Sequence, residues 1–153
     1  RELSYIVAEA LDDLQTLPDS LVPASVRRRM QRDRPIPSDS TAMRNLRAVH
    51  EAGVPVVLGT DAGNIGTPHG PAVFREIELM RAAGLSPAEI LTTATANGAR
   101  LAGRSDALGT IEEGKLADLV VLDRDPRADV EHWSAIHRVV KGGHVFTPEE
   151  LQQ

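Results

Sequence analysis

The sequence contains no cysteine, and this absence narrows the chemistry that the chain can perform. Without thiols there can be no disulfide, no thiolate nucleophile and no cysteine-based zinc site. Any metal must therefore be held by histidine and carboxylate side chains. Long apolar runs are absent too, since stretches such as Leu119 to Leu122 are far shorter than the roughly 18 residues that a bilayer crossing requires. We therefore expect no membrane partner.

Aromatic residues and excess positive charge are also scarce. One Trp, one Tyr and two Phe offer few stacking platforms among 153 residues, and the formal net charge is −5. Nucleic-acid binders combine basic surfaces with such platforms, so we expect no nucleic-acid partner. The one basic run, Arg27–Arg29, is interpreted as a solvated face, with an anion or partner patch as the alternative.

The composition that remains is typical of a soluble globular domain, with 41% hydrophobic and 25% charged residues. The chain begins with Arg1 instead of Met, and no signal-peptide pattern precedes the first amphipathic segment. We therefore expect a processed product or a piece of a longer protein. The sequence assigns no compartment, although we favour the cytoplasm.

Hydrophobic periodicity predicts four helices. They are expected at Leu3–Leu14, from an N-cap at Ser38 or Asp39 to Gly53, from Pro71 to Gly84, and from Ser86 to Gly103. The last helix should begin with a capping box, because Ser86 is followed three residues later by Glu89. The proline-rich segment from Leu17 to Pro37 is predicted to be a connector with one short helix.

Strands are predicted in two places that lie far apart in the sequence. A short buried strand is expected at Val54–Thr60, and the remaining strands follow Gly103, at 108–111, 117–123, 138–141 and 144–146. Gly142 and Gly143 predict a tight hairpin turn between the last two strands. One strand in the first hundred residues is too few to cover the apolar stripes of the helices.

The stretch from Val54 to Gly70 is the best candidate for a functional site. Asp61 follows the predicted strand directly, and parallel α/β sheets carry their chemistry at the carboxyl ends of strands. His69 lies eight residues later in the same glycine-rich loop, which could fold back and bring the two side chains near one cavity. The alternative is that Asp61 only forms a turn or caps the next helix.

Two other motifs contain glycine spacings that are typical of anion sites. Gly109 to Lys115 has the glycine and lysine spacing of a phosphate-binding loop, but Leu116 replaces the required Ser or Thr and a strand follows instead of a helix. We interpret it as a β-turn. The glycines at 63, 66 and 70 do not fit the dinucleotide fingerprint, although an anion site at that helix start stays open. The other four histidines are interpreted as structural or solvated.

Three motifs occur together in an order and spacing that resemble the metal-dependent amidohydrolase superfamily. They are GTDAG at 59–63 with HG at 69–70, GLSPAEILTTATANGA at 84–99, and LGTIEEGKLADLVVLD at 108–123. The resemblance is to the C-terminal third of that superfamily and covers about residues 40 to 146. Within it, the imidazolonepropionase-like and Xaa-Pro dipeptidase-like branch is the most similar.

The resemblance implies an α/β fold, namely the C-terminal part of a (β/α)8 TIM-like barrel followed by part of a small β-sandwich. Residues 1–103 would be the barrel portion and residues 104–153 the sandwich strands. Asp61 would be a metal ligand and the catalytic carboxylate that accepts the proton of the attacking water. His69, Gly63 and Asn64 would contribute to substrate binding. The implied cofactor is Zn²⁺, as one or two divalent metals in a full-length parent.

The activity that the resemblance implies is hydrolysis of a C–N bond in an amide, a cyclic amide or a dipeptide. The other metal ligands of the superfamily have no counterpart in this chain, so the isolated chain is expected to be inactive. Expected partners are a small-molecule substrate and either a second copy or the missing N-terminal barrel portion. The alternatives are a non-catalytic half that docks to that portion and a small anion-binding α/β module.

Overall fold

A computed structural model describes this chain at residues 40–63, 67 and 69–152. The predicted helix at Leu3–Leu14, the connector and Asn64 lie outside the described residues. Four α-helices come first: α1 (Thr41–Glu51), α2 (Pro71–Ala82), α3 (Pro87–Ala94) and α4 (Ala96–Leu101). They are followed by β1 (Leu119–Leu122), a 3₁₀ helix at Val130–Ser134, β2 (Ile136–Lys141), β3 (His144–Phe146) and a second 3₁₀ helix at Glu150–Gln152.

The helix boundaries follow local sequence signals closely. Helix α1 begins after Ser40, whose hydroxyl accepts a hydrogen bond from the Met43 amide at 3.2 Å, so the predicted N-cap was placed one or two residues too early. Pro71 occupies the first turn of α2, as predicted. Glycines with positive φ follow α1, α2 and α4 at the predicted ends, Gly53, Gly84 and Gly103.

The predicted single helix from Ser86 to Gly103 is wrong, because the structure divides it at Thr95. This residue has φ −121° and ψ −84°, which are not helical, and its hydroxyl donates a hydrogen bond to the Leu91 carbonyl at 2.7 Å. The hydroxyls of Thr92 and Thr93 bond back to carbonyls of the preceding turn in the same way. Branched side chains and such back-bonding both weaken helical structure. The result is two short helices, α3 and α4.

The described core lies between the first three helices. Its buried members are Met43 on α1, Ile77 and Met80 on α2, and Ile90 on α3, together with Ala83 and Leu85 between helices. Half-buried residues from outside the four α-helices pack on this cluster, namely Val56, Leu58, Val130 and Trp133. Trp133 also donates its indole N–H to the Pro126 carbonyl at 2.9 Å. The 3₁₀ helix that carries Trp133 therefore joins the strand region to the helical layer.

Glu89 links the start of α3 to the end of α1. Its carboxylate accepts hydrogen bonds from the Ser86 hydroxyl and amide, both at 2.7 Å, and lies 3.0 Å from His50 Nε2. The capping box predicted from Ser86 and Glu89 is thus confirmed. The Ser86 side chain, the His50 side chain and the Ser86 backbone, in that order, lower the pKa of Glu89 to about 2.

Because this pKa is depressed in the folded state, the stabilisation from Glu89 should be complete above its ordinary pKa of 4.5 and be lost as pH falls towards 2. The Glu89 side chain is 48% exposed, so solvent screening limits the loss to about 1 kcal/mol. Urea unfolding measured between those pH values should show a shallower acid dependence for Glu89→Gln. Glu78→Gln, which removes an exposed carboxylate paired with Arg75 on α2, should keep the original dependence. Identical slopes for Glu89→Gln and the unsubstituted chain would contradict this account.

The three strands form one antiparallel sheet in the order β1-β2-β3. Gly142 and Gly143 both have positive φ, so the predicted two-glycine hairpin turn between β2 and β3 is confirmed. The Asp118 carboxylate accepts a hydrogen bond from the Gly142 amide at 2.7 Å and also bonds Lys141. These bonds tie the turn to the residue that precedes β1.

Two predicted strands do not form among the described residues. Residues 108–110 bend, and neither Ile111 nor residues 54–60 have regular secondary structure. A strand requires a ladder of backbone hydrogen bonds with a neighbouring strand. The segment at 54–60 instead meets α3 and α4, so its partners here are helical. The described residues therefore form four α-helices and a small antiparallel sheet, without a barrel strand.

No described helix combines the length and the apolar character needed to cross a membrane.

Candidate active site

The backbone conformation of Asp61 is unusual among the described residues. Its φ of 51° lies in the left-handed region, and it is the one non-glycine residue with positive φ among the described residues. Aspartate tolerates this conformation better than most residues, but such strain still requires support from the surrounding structure. Strained residues cluster at functional sites, so the backbone of Asp61 supports the candidate that the sequence analysis selected.

The segment before Asp61 is half-buried at residues 56–58 and makes hydrogen bonds to α3 and α4. Val56 and Leu58 pack on the core, and the Leu58 amide donates to the Thr93 carbonyl at 3.2 Å. The Asn97 side-chain amide donates to the Val56 carbonyl at 2.7 Å. Asp61 itself is exposed, so the polypeptide runs from the core to the surface at this point.

The loop after Asp61 folds back on itself. The Gly63 amide donates to the Thr67 carbonyl at 3.0 Å. A Cβ placed on Gly63, whose φ is 101°, would lie 3.4 Å from Nε2 of His69. The His69 ring therefore lies against the backbone two residues after Asp61. Asp61 and His69 are both exposed, and a common cavity between their side chains stays a prediction. The roles of Asp61, His69 and Gly63 stay predictions, as does the role of Asn64.

The sequence from Gly59 to Gly70 contains one carboxylate, that of Asp61, and one imidazole, that of His69. A catalytic zinc site has about three protein ligands and an open position. Among residues 40–63, 67 and 69–152, no group of three His, Asp or Glu side chains is arranged to hold a metal ion. A metal-ligand role for Asp61 therefore stays a prediction.

Two further observations concern titratable groups outside the loop. Three of the histidines are engaged elsewhere: His50 pairs with Glu89, His132 contacts the Asp125 carbonyl at 2.8 Å, and His137 lies 3.0 Å from Asp123. The second observation concerns Glu76 on α2, the helix that follows the loop. Burial raises the pKa of the half-buried Glu76 carboxyl, and periodicity alone gave no reason to select it.

Asn97 is a residue of this site that the sequence pattern did not single out. It lies seven residues after Ile90 in the helix predicted from Ser86 to Gly103, a spacing that puts it on the same apolar face, where an amide is out of place. A polar residue on an apolar stripe is the available signal, because a half-buried amide must find hydrogen-bond partners. Its partner, the Val56 carbonyl, is 41 residues away in the sequence and cannot be identified from local pattern.

Comparison with known proteins identifies the family of this chain. An imidazolonepropionase from Shouchella clausii (strain KSM-K16) is 37% identical over 95 residues, which are 62% of this chain and 21% of that protein. A crystal structure of a Xaa-Pro dipeptidase with methionine bound in its active site matches with a TM-score of 0.62 and 30% identity, over 69% of this chain and 25% of that one. A molinate hydrolase structure matches with a TM-score of 0.64 and 32% identity, over 71% and 27%.

The chain therefore spans about a quarter of the length of the relatives it matches. The sequence profile of the Amidohydrolase family matches residues 6–146, which is most of the chain. The resemblance inferred from the three motifs is thus confirmed. This chain belongs to the amidohydrolase family.

Proposed function

We propose that this chain supplies the C-terminal share of a metal-dependent hydrolase that cleaves C–N bonds in amides, cyclic amides or dipeptides. The observation that carries the proposal is the left-handed backbone of Asp61 at the end of a segment fixed to the core. Family membership and the names of the relatives, which include a dipeptidase and a hydrolase, support the reaction class. In this proposal the barrel is completed by residues that this chain does not carry.

Asp61 has the properties that the proposed reaction requires. A carboxylate can contribute negative charge to a metal and accept a proton from an attacking water. The proposed cofactor is Zn²⁺, as one or two divalent ions, which would make hydroxide available near neutral pH. His69, Gly63 and Asn64 would line the side of the substrate pocket next to Asp61. The substrate is a small molecule in this proposal.

The metal content and the activity of two purified proteins test whether this chain supplies only part of the catalytic site. The 153-residue chain alone should retain less than about 0.2 zinc per chain after dialysis and should not hydrolyse a prolyl dipeptide, because one carboxylate cannot hold a catalytic ion. A complete enzyme that contains this sequence should retain at least one divalent metal and hydrolyse a C–N bond. Elemental analysis and a substrate panel measure both quantities. Stoichiometric zinc together with turnover by the chain alone would contradict the proposal.

A second candidate is a non-catalytic half that docks to a separate barrel portion. It is favoured by large apolar side chains that stay exposed among the described residues, namely Leu101, Ile111, Leu116, Val120 and Val145. Such a half would have no turnover even after its partner is restored. The same substrate panel, applied to the complete assembly, therefore separates the two candidates.

A further inference from the structure

The break between α3 and α4 faces the segment that leads to Asp61. On that segment, the Val56 carbonyl accepts from the Asn97 side chain at 2.7 Å, and the Leu58 amide donates to the Thr93 carbonyl at 3.2 Å. A carbonyl and the amide two residues later are the groups that an extended chain presents to a neighbouring strand on one side. The helix break thus supplies one donor and one acceptor in the places where a strand would supply them.

The helix break makes these two groups available. Thr93 lies in the last turn of α3, where backbone carbonyls lack intrahelical partners as a rule. Asn97 is half-buried and lies in the first turn of α4, two residues after the non-helical Thr95. Gly109 closes the junction from another side, since a Cβ placed there would lie 3.1 Å from the Thr95 carbonyl oxygen. An uninterrupted helix would carry both groups in a different relative orientation.

We propose that Asn97 is a positioning residue for Asp61, acting through the Val56 carbonyl. Its hydrogen bond fixes the segment five residues before Asp61, and the Leu58 bond fixes it again three residues before. With the segment anchored twice, the chain reaches Asp61 in its left-handed backbone conformation. The catalytic meaning of this role rests on the proposed function of Asp61.

The chemistry of the bond explains why an amide is needed at position 97. At neutral pH an aspartate is nearly the same shape but only accepts hydrogen bonds, so it would place a carboxylate against the Val56 carbonyl oxygen. Protonation would give the same side chain an O–H donor again. Near a carbonyl and partly buried, the pKa of such a carboxyl would lie above its ordinary value of about 3.9. In the variant Asn97→Asp, lowering the pH should therefore restore a hydrogen-bond donor at position 97.

Nuclear magnetic resonance of the isotope-labelled 153-residue chain tests the proposal. Two signals are followed: the strong amide-to-Hα contact within Asp61 that marks positive φ, and hydrogen exchange of the Leu58 amide. At about pH 7, Asn97→Asp should weaken the first and speed the second about tenfold, the scale of one lost hydrogen bond. At about pH 4.5, protonation should return both signals towards those of the unsubstituted chain at that pH. Signals of the core residues on α1 and α2 should stay unchanged.

Two further variants make every outcome decisive. Asn45→Asp adds the same charge to an exposed position on α1 and should change neither signal. Asn97→Ala removes the donor at all pH values, so acid should not restore its signals. Unchanged Asp61 and Leu58 signals in Asn97→Asp would overturn the proposal, as would a lack of recovery in acid. Loss of the α1 and α2 signals in both Asn97 variants would also overturn it, because Asn97 would then support the whole fold.

These measurements are independent of turnover. If Asn97→Asp alters the conformation of Asp61 while a complete enzyme retains full activity after Asp61→Asn, the positioning holds and the proposed function fails. If Asp61→Asn abolishes activity while Asn97→Asp leaves Asp61 unchanged, the proposed function holds and the positioning fails.

Discussion

Replacing Asp61 with Asn in a complete enzyme that contains this chain is expected to lower kcat by about 10²- to 10⁴-fold, the range for loss of a general acid or base. An amide of the same shape can neither accept the proton nor supply the negative charge. The fold should persist, because Asp61 is exposed and asparagine tolerates its φ of 51° as well as aspartate does. Steady-state kinetics with metal analysis measure the effect.

Asparagine is a cleaner replacement than alanine at this position, since alanine would add backbone strain to the loss of the carboxylate. Asp106→Asn provides the control, because it removes an exposed carboxylate from the loop after α4. Its kcat should lie within about twofold of the unsubstituted enzyme, as expected for a surface change. If Asp61→Asn had an equally small effect, Asp61 would be a turn residue and the alternative interpretation of the sequence would be correct.

The second large effect is expected on stability, from Gly109→Ala. A Cβ at this position would lie 2.6 Å from the Ala99 Cβ and 3.0 Å from the Ala96 Cα, and the φ of 92° already disfavours alanine. Overpacking costs about 1–3 kcal/mol and the left-handed conformation about 1–2 kcal/mol. We therefore expect a loss of about 2–5 kcal/mol in the free energy of unfolding. Urea unfolding followed by far-ultraviolet circular dichroism measures the loss.

Gly114→Ala separates the two contributions. Gly114 has almost the same φ, 89°, but no atom lies within 4 Å of a Cβ placed there. This variant should lose only the conformational contribution of about 1–2 kcal/mol. The difference between the two variants then measures how tightly the 107–116 loop packs on α4. Equal losses would mean that the loop can move away from the helix without a penalty.

The features that the sequence predicted correctly are those set by neighbours in the chain. The capping box needs only Ser86 and Glu89, and the hairpin turn needs only Gly142 and Gly143, so each is encoded within a few residues. The family was also recognisable, because GTDAG at 59–63 and the later motifs keep their order and spacing. Residues 54–60 carry the apolar pattern of a strand, but a strand depends on partners that the described residues do not provide.

The errors and omissions concern contacts between distant segments or competition within a helix. The pattern from Ser86 to Gly103 has helical periodicity throughout, and the break at Thr95 depends on hydroxyl groups that compete for backbone carbonyls. The role of Asn97 depends on the Val56 carbonyl, far away in sequence. The candidate active site at Asp61 stays a prediction, because no group of three His, Asp or Glu side chains among the described residues is arranged to hold a metal ion.

The fluorescence of Trp133 can report on the contact between the helical core and the strand region. It is the single tryptophan in the sequence, and its half-buried indole lies between the helical core and the strand region. Detachment of the strand region from the core would expose the indole and shift its fluorescence emission to longer wavelength. Ellipticity at 222 nm follows the helices instead. The order of the two transitions during unfolding would therefore reveal whether the strand region leaves before the helices melt or together with them.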